Sequence, residues 1–219
     1  MIKLLGKVPD TICVAVSGGP DSMAALDFLR AGGKRKVTAL YYNHGTRHGE
    51  EAKKFVRNYC FHNSIPCLDE RIRRKKEDCE SWEEYWRIER YKYFKKHSAV
   101  PIVTAHHLND VAEWWIYTSL HGEGKVMPYR NEEHNIIRPF LLTPKKDLVS
   151  WCERKKVPYL TDPSNKTDAH MRNIVRHEII PTALKVSPGL EKIMRKKVQK
   201  IFDIRKNLYK SDTKSVHLH

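Results

Sequence analysis

The chain has 219 residues, of which 40% are hydrophobic and 31% charged, enough for one full domain with a buried core and a small appendage. Its formal net charge of +15 argues for a polyanionic partner, nucleic acid above all. Five scattered cysteines without a C-x2-C pair, and no apolar run near about 18 residues, exclude a disulfide framework, a zinc ribbon and a membrane-spanning helix.

Residues 11–16 (TICVAV) form a short apolar run closed by Ser-Gly-Gly and predict a buried parallel strand. Residues 22–30 carry helical spacing, with Met23, Leu26, Phe28 and Leu29 on one side and Gly32-Gly33 as the stop. VTALYY (37–42) is the next strand and delivers Asn43-His44-Gly45 at its end. A helix over 50–62, a strand near 66–70 and the basic run RIRRKK (71–76) follow. Residues 81–97 predict an aromatic and charged helix, started by Ser81 and Glu84 in the S-x-x-E arrangement. PIVTA (101–105) reads as a strand ending in His106-His107, and Asn109 is the expected cap of a helix running to about Leu120. Beyond Arg138, helices are expected over 144–156, 170–184 and 190–208, with a frayed tail at 211–219. Alternating strands and helices predict an α/β domain, a doubly wound and mostly parallel sheet. Ligands in such sheets lie beyond the carboxyl ends of the strands, where the segments after Val16, Tyr42 and Ala105 all fall.

The segment Ser17-Gly18-Gly19-Pro20-Asp21-Ser22 has the chemistry of an anion cradle. Its glycines allow close backbone approach, and the following helix start offers unpaired N–H groups and a positive dipole end. It lacks the lysine of a Walker-type loop. Asp21 would repel a phosphate unless a divalent cation stood between them, which points to Mg²⁺; the alternative is a tight turn in which Asp21 caps a helix. In HHLNDVAE (106–113), Asp110 and Glu113 share one helix face and suit a metal or an ammonium group, or form a solvated acidic pair at a helix start. Arg87 and Arg90 lie three apart on the aromatic helix, and Arg172 and Arg176 stand near DPSN (162–165). The basic stretches, with Arg71, Arg73, Arg74, Lys75 and Lys76 in one and Lys192, Arg195, Lys196 and Lys197 in the other, make an RNA-backbone footprint or solvated faces.

Six motifs occur in an order that resembles the tRNA(Ile)-lysidine synthetase family of N-type ATP pyrophosphatases, also called PP-loop enzymes. They are SGGPDS, NHGTR (43–47), RIERY (87–91), HHLNDVAE, RPFL (138–141), and DPSN with RNIVRHEIIP (172–181). The resemblance implies an adenine nucleotide alpha hydrolase-like core over 1–137, completed by 138–210 with a basic helical appendage. It implies a ligase that uses ATP and Mg²⁺ and has tRNA and free L-lysine as substrates, and the isolated thiols suit the reducing cytoplasm expected of it. The C2 oxygen of the wobble cytidine of an isoleucine tRNA would be adenylated, and lysine would then displace AMP. Ser17, Gly18, Gly19, Pro20, Asp21, Ser22, Asn43, His44, Gly45 and His106 would hold ATP, with Asp21 on magnesium. Asp110 and Glu113 would hold lysine, while Arg87, Arg90 and Arg176 would offset developing negative charge.

The chain departs from the family pattern in three respects. A short form without the further C-terminal domains usual in the family is expected, the glycine-rich segment after HHLNDVAE is shortened to HGEGKVMPY, and Trp114, Trp115 and Tyr117 stand where aliphatic or small polar residues are more usual. Two other readings stand beside the first. One is a related ATP pyrophosphatase with a different RNA or nucleotide acceptor, although sulfur transfer is disfavoured without C-x2-C. The other is a non-catalytic RNA-binding derivative.

Overall fold

In the computed structural model of the chain, residues 1–161 and 171–215 are described, without the side chains of Arg172 and 208–215. The segment DPSN and the side chain of Arg172 therefore lie outside the described residues.

A six-stranded sheet runs in the order β3-β2-β1-β4-β6-β5, built from β1 (Thr11–Val16), β2 (Lys36–Asn43), β3 (Cys67–Arg71), β4 (Ile102–Val103), β5 (Arg130–Asn131) and β6 (Ile136–Ile137). All pairings are parallel except β5 with β6. The apolar run of β1 sits at the centre, between β2 (Val16 opposite Tyr41) and β4 (Val14 opposite Val103). Strand order reverses between β1 and β4, so a crevice opens beyond their carboxyl ends. The expected doubly wound, mostly parallel fold is thus present, with the short strands β5 and β6 in addition. The strand expected over 101–105 narrows to Ile102–Val103.

Helix α1 (Pro20–Ala31) follows β1 directly, and its buried Met23, Ala24, Ala25, Leu26 and Leu29 seal one sheet face. Helices α2 (Arg47–His62) and α3 (Trp82–Lys96) start at side-chain caps: Thr46 accepts from the Gly49 N–H, and Ser81 from the Glu84 N–H. Helix α4 (Leu108–Leu120) is capped by His107, not by Asn109. Asn109 instead accepts the Lys145 backbone N–H at 2.9 Å, tying α4 to the start of α5 (Lys145–Lys155). A histidine acceptor at the cap is the reason the Asn109 expectation fails.

Helix α6 (Met171–Ile174) passes through a π-helical stretch, Val175–Ile179, into α7 (Ile180–Val186). Pro181 explains this widening, because it carries no N–H for an ordinary helical bond to His177 and its ring crowds that carbonyl. The last helix, α8 (Leu190–Ser215), continues into the stretch expected to fray. Leu190, Met194 and Val198 of α8 share a core with Leu108, Val111 and Ile116 of α4 and with Leu141, Leu142 and Val175. No helix among the described residues is long and apolar enough to cross a membrane.

Candidate active site

The loop between β1 and α1 is held open by its own hydroxyls. Ser22 Oγ accepts the Ser17 N–H at 3.1 Å, lies 3.2 Å from Ser17 Oγ and donates to the Gly19 carbonyl at 3.0 Å. Gly18 has φ +88°, a conformation that side chains rarely adopt. Gly19 is the N-cap of α1 and provides no side-chain cap, while Pro20 at the first position has no N–H to satisfy. The first-turn donors of α1 therefore face the crevice with the positive end of the helix behind them.

A cavity of about 330 Å³ opens there, within the range of small-ligand sites. Ser17, Gly19, Asp21, Ser22, His44, Arg90, His106 and Asp110 reach it. Gly18, Pro20, Asn43, Gly45 and Arg87 do not line it. Asn43 is buried and its Oδ1 accepts the Gly45 N–H at 2.8 Å, which fixes the turn after β2. Arg87 is exposed, its guanidinium 5.5 Å from the Tyr91 ring, so the two arginines of α3 part company. None of the five cysteines lines the cavity.

Two histidines on the cavity wall are held neutral. Burial pushes the pKa of His44 down to about 4, aided by the Arg90 charge. Burial does the same for His106, to about 4, and its Nδ1 lies 2.7 Å from Thr104 Oγ1.

The acidic residues form one connected row. His107, 3% exposed, sits between them, with Nε2 3.6 Å from Asp21 Oδ2 and Nδ1 3.3 Å from Asp110 Oδ2. His107 and Asp110 cap α4 reciprocally: the His107 N–H donates to Asp110 Oδ2 at 2.8 Å, and the Asp110 N–H to His107 Nδ1 at 3.3 Å. An Nδ1 that accepts leaves the imidazole proton on Nε2, toward Asp21. Burial opposes charging His107, but the Asp110 charge and the contact with Asp21 outweigh it and raise its pKa.

Asp21 is held in the opposite sense. Burial raises its carboxyl, but His107 and the Lys145 ammonium, 3.6 Å away, bring it below the usual range. Its Oδ1 is buried without a hydrogen-bond partner among the described residues. A carboxylate oxygen stranded at the mouth of an anion cradle fits a magnesium ion. Among the described residues no three His, Cys, Asp or Glu side chains are grouped to hold a metal, so phosphate oxygens and water would complete its shell.

Beyond Asp110 the row continues to Arg176, in the π-helical stretch. Its guanidinium donates to both oxygens of Glu113 at 2.8 Å and lies 3.9 Å from Asp110 Oδ1. The expected group of Asp21, Asp110, Glu113 and Arg176 is thus brought together, although Glu113 is engaged by arginine. Sequence reasoning missed His107 as the link, and also Lys145 and Thr104. The only signal for His107 was its place directly before the Asp110 helix.

The two basic stretches differ. Arg74 is bound by Glu80, Glu89 and Glu77 and covers the Tyr85 ring at 4.7 Å, while Lys76 donates to the Glu77 and Glu80 carbonyls. Arg71 pairs with Glu50, at 3.4 Å. The acidic residues that follow the basic run in sequence therefore fold back on it. Arg73 and Lys75, by contrast, are both exposed. On α8, Lys192, Lys196 and Lys197 are exposed, and Arg195 reaches the Leu142 carbonyl at 3.4 Å.

Comparison with known proteins agrees with this geometry. Residues 2–183 match the PP-loop domain family. The tRNA(Ile)-lysidine synthase of Thermosipho africanus is 32% identical over 208 residues, covering 89% of this chain and 49% of that protein. The synthase of Staphylococcus aureus (strain COL) is 34% identical over 190 residues, covering 80% and 44% respectively. The chain spans about half the length of these curated relatives. In fold it is similar to the U34-tRNA thiolase NcsA from Methanococcus maripaludis, with TM-score 0.73, 15% identity and coverage of 90% of this chain and 74% of that one. The chain belongs to the PP-loop domain family.

Proposed function

We propose that the protein is an ATP-dependent tRNA-modifying ligase that attaches lysine to the wobble cytidine of an isoleucine tRNA. The observation that carries this reading is the continuous row Asp21–His107–Asp110–Arg176–Glu113 beside the PP-loop. It sets an anion cradle against carboxylates suited to an amine. The similarity to lysidine synthases and the charge of +15 support tRNA as acceptor.

In the reaction, the cytidine O2 attacks the α-phosphorus of ATP, and the bond to the bridging oxygen of pyrophosphate breaks. The amine of lysine then adds at C2, the C2–O bond breaks, AMP leaves, and the amine loses its proton. The chain's own task is positioning and charge stabilisation. Ser17, Gly19, Ser22 and the first-turn N–H groups of α1 receive the pyrophosphate. Magnesium bound at Asp21 would neutralise charge developing on the phosphates. His107, held by Asp110, keeps the Asp21 carboxylate oriented. Asp110 and Glu113 receive the lysine ammonium. Because Arg176 occupies Glu113, arrival of that ammonium releases the guanidinium toward the α-phosphate, where its planar fork suits two oxygens. Arg90 lies on the cavity wall.

The test is ATP–pyrophosphate exchange with and without tRNA. Exchange that requires tRNA is expected. Exchange that ignores tRNA would move the acceptor to a different class of molecule.

A further inference from the structure

Helix α4 carries a row of aromatic rings that the proposed reaction leaves unused. Asp110, Trp114, Tyr117 and His121 stand at i, i+4, i+7 and i+11, one stripe of a helix with about 3.6 residues per turn. Trp114 and Tyr117 are stacked, 6.2 Å apart with 24° between planes, and Tyr117 and His121 are 4.4 Å apart. The His121 Nδ1 lies 2.7 Å from the Tyr117 carbonyl; a carbonyl only accepts, so Nδ1 carries the proton and the ring is fixed before any partner arrives. Trp114 and Tyr117 are half-buried and His121 is exposed, whereas Val111, Ala112 and Ile116 on the other side are buried in the core. The stripe spans about 16 Å at 1.5 Å per residue, from the catalytic carboxylate outward.

Helix α8, packed against α4, is basic. Lys197 of α8 lies 5.6 Å from the ring of Trp115, and Lys192, Lys196 and Lys200 are exposed on the same helix. Rings in register on one helix, with exposed cations on the helix packed against it, match a strand of unpaired nucleotides, whose bases stack while the phosphates meet lysine. A duplex offers no free base face to such rings. We propose that the Trp114–Tyr117–His121 stripe is a stacking platform for unpaired RNA bases, leading them along α4 to Asp110. This rests on the reading of RNA as substrate, and it adds a specific route by which the acceptor nucleotide reaches the site.

The test uses the full chain and three labelled RNA probes read by fluorescence anisotropy: a mixed-sequence single strand, the matching duplex, and the same strand carrying abasic positions. The double variant Trp114→Leu/Tyr117→Leu is expected to bind the intact strand about tenfold more weakly, and the duplex almost unchanged. Trp114→Phe, which keeps a ring, is expected to retain most of the affinity. The parent protein is expected to prefer the intact strand over the abasic one by a similar factor. That arm needs no variant, so a misfolded double variant does not spare the proposal. Equal affinity of the parent for intact and abasic strands would overturn it. So would an equal loss on all three probes, which would mark the rings as structural or as a face for a protein partner. No ATP or lysine is present, so failure of lysine transfer and failure of stacking are read separately.

Discussion

Arg176 grips Glu113 with two hydrogen bonds of 2.8 Å, and this pair joins the helix of the HHLNDVAE motif to the π-helical stretch near the chain's C-terminal third. Contact with Glu113 raises the arginine's pKa further, so the guanidinium stays charged at every working pH. Glu113→Gln keeps the shape but removes the charge. Its expected cost is about 1–3 kcal/mol of stability, from a hydrogen-bonded charge left half-matched. For a chain of this size that is about 2–4 °C of melting temperature per kcal/mol. Arg176→Lys cannot reproduce the two-pronged contact and is expected to abolish most exchange activity while leaving the protein folded. A lysine variant with normal exchange would remove Arg176 from the proposed chemistry.

Asp21 gives a prediction about magnesium. With Oδ1 buried and unpartnered among the described residues, the parent should bind ATP more tightly when magnesium is present. Asp21→Asn should lose that dependence while retaining weak metal-free binding through the loop. Titration calorimetry at two magnesium concentrations reads both. Equal magnesium dependence in the two proteins would take the ion away from Asp21.

The histidines set two opposite pH trends. His44 and His106 have depressed pKa values near 4, against an unfolded value near 6.5. Between those limits the unfolded chain binds more protons, so stability is expected to fall as pH drops from about 6.5 to about 4. His107 is shifted upward, so its contribution is present in full below about 6.5 and is lost as pH rises through its folded value. Melting curves from pH 4 to 9 should therefore show His106→Gln flattening the acid limb. His107→Gln should lose most relative to the parent on the acid side of neutrality, and that deficit should shrink as pH rises. A deficit that grows with pH would contradict the assignment.

The basic stretches should separate in solution. Arg74→Ala is expected to lower the melting temperature, because it strips three glutamates and Tyr85 of their common partner, with little effect on RNA affinity. Lys192→Ala/Lys196→Ala should do the reverse and reduce the slope of log affinity against log salt by about two. Salt titrations of tRNA binding distinguish them.

Much of this site was legible along the chain because its parts are local. An apolar strand, two glycines and a helix start are neighbours in sequence, and so are Asp110 and Glu113, one helical turn apart. What escaped is what the sheet order creates. Lys145 approaches Asp21 from 124 positions away, because α5 packs beside α1. Arg176 reaches Glu113 across 63 positions. His107 was hidden for another reason: histidine is a rare helix cap, and Asn109 two residues later was the stronger local signal. Arg74 shows the converse, a basic run whose charge is cancelled by glutamates that only folding brings back to it.

The central claim is that this PP-loop site joins lysine to tRNA. Incubation of the purified protein with labelled lysine, ATP, magnesium and bulk tRNA, followed by nucleoside digestion, addresses it directly. The expected result is one labelled nucleoside, a cytidine modified at C2, formed only when ATP is present and lost in Asp110→Asn. Label absent from tRNA while ATP is still split to AMP and pyrophosphate would contradict the claim.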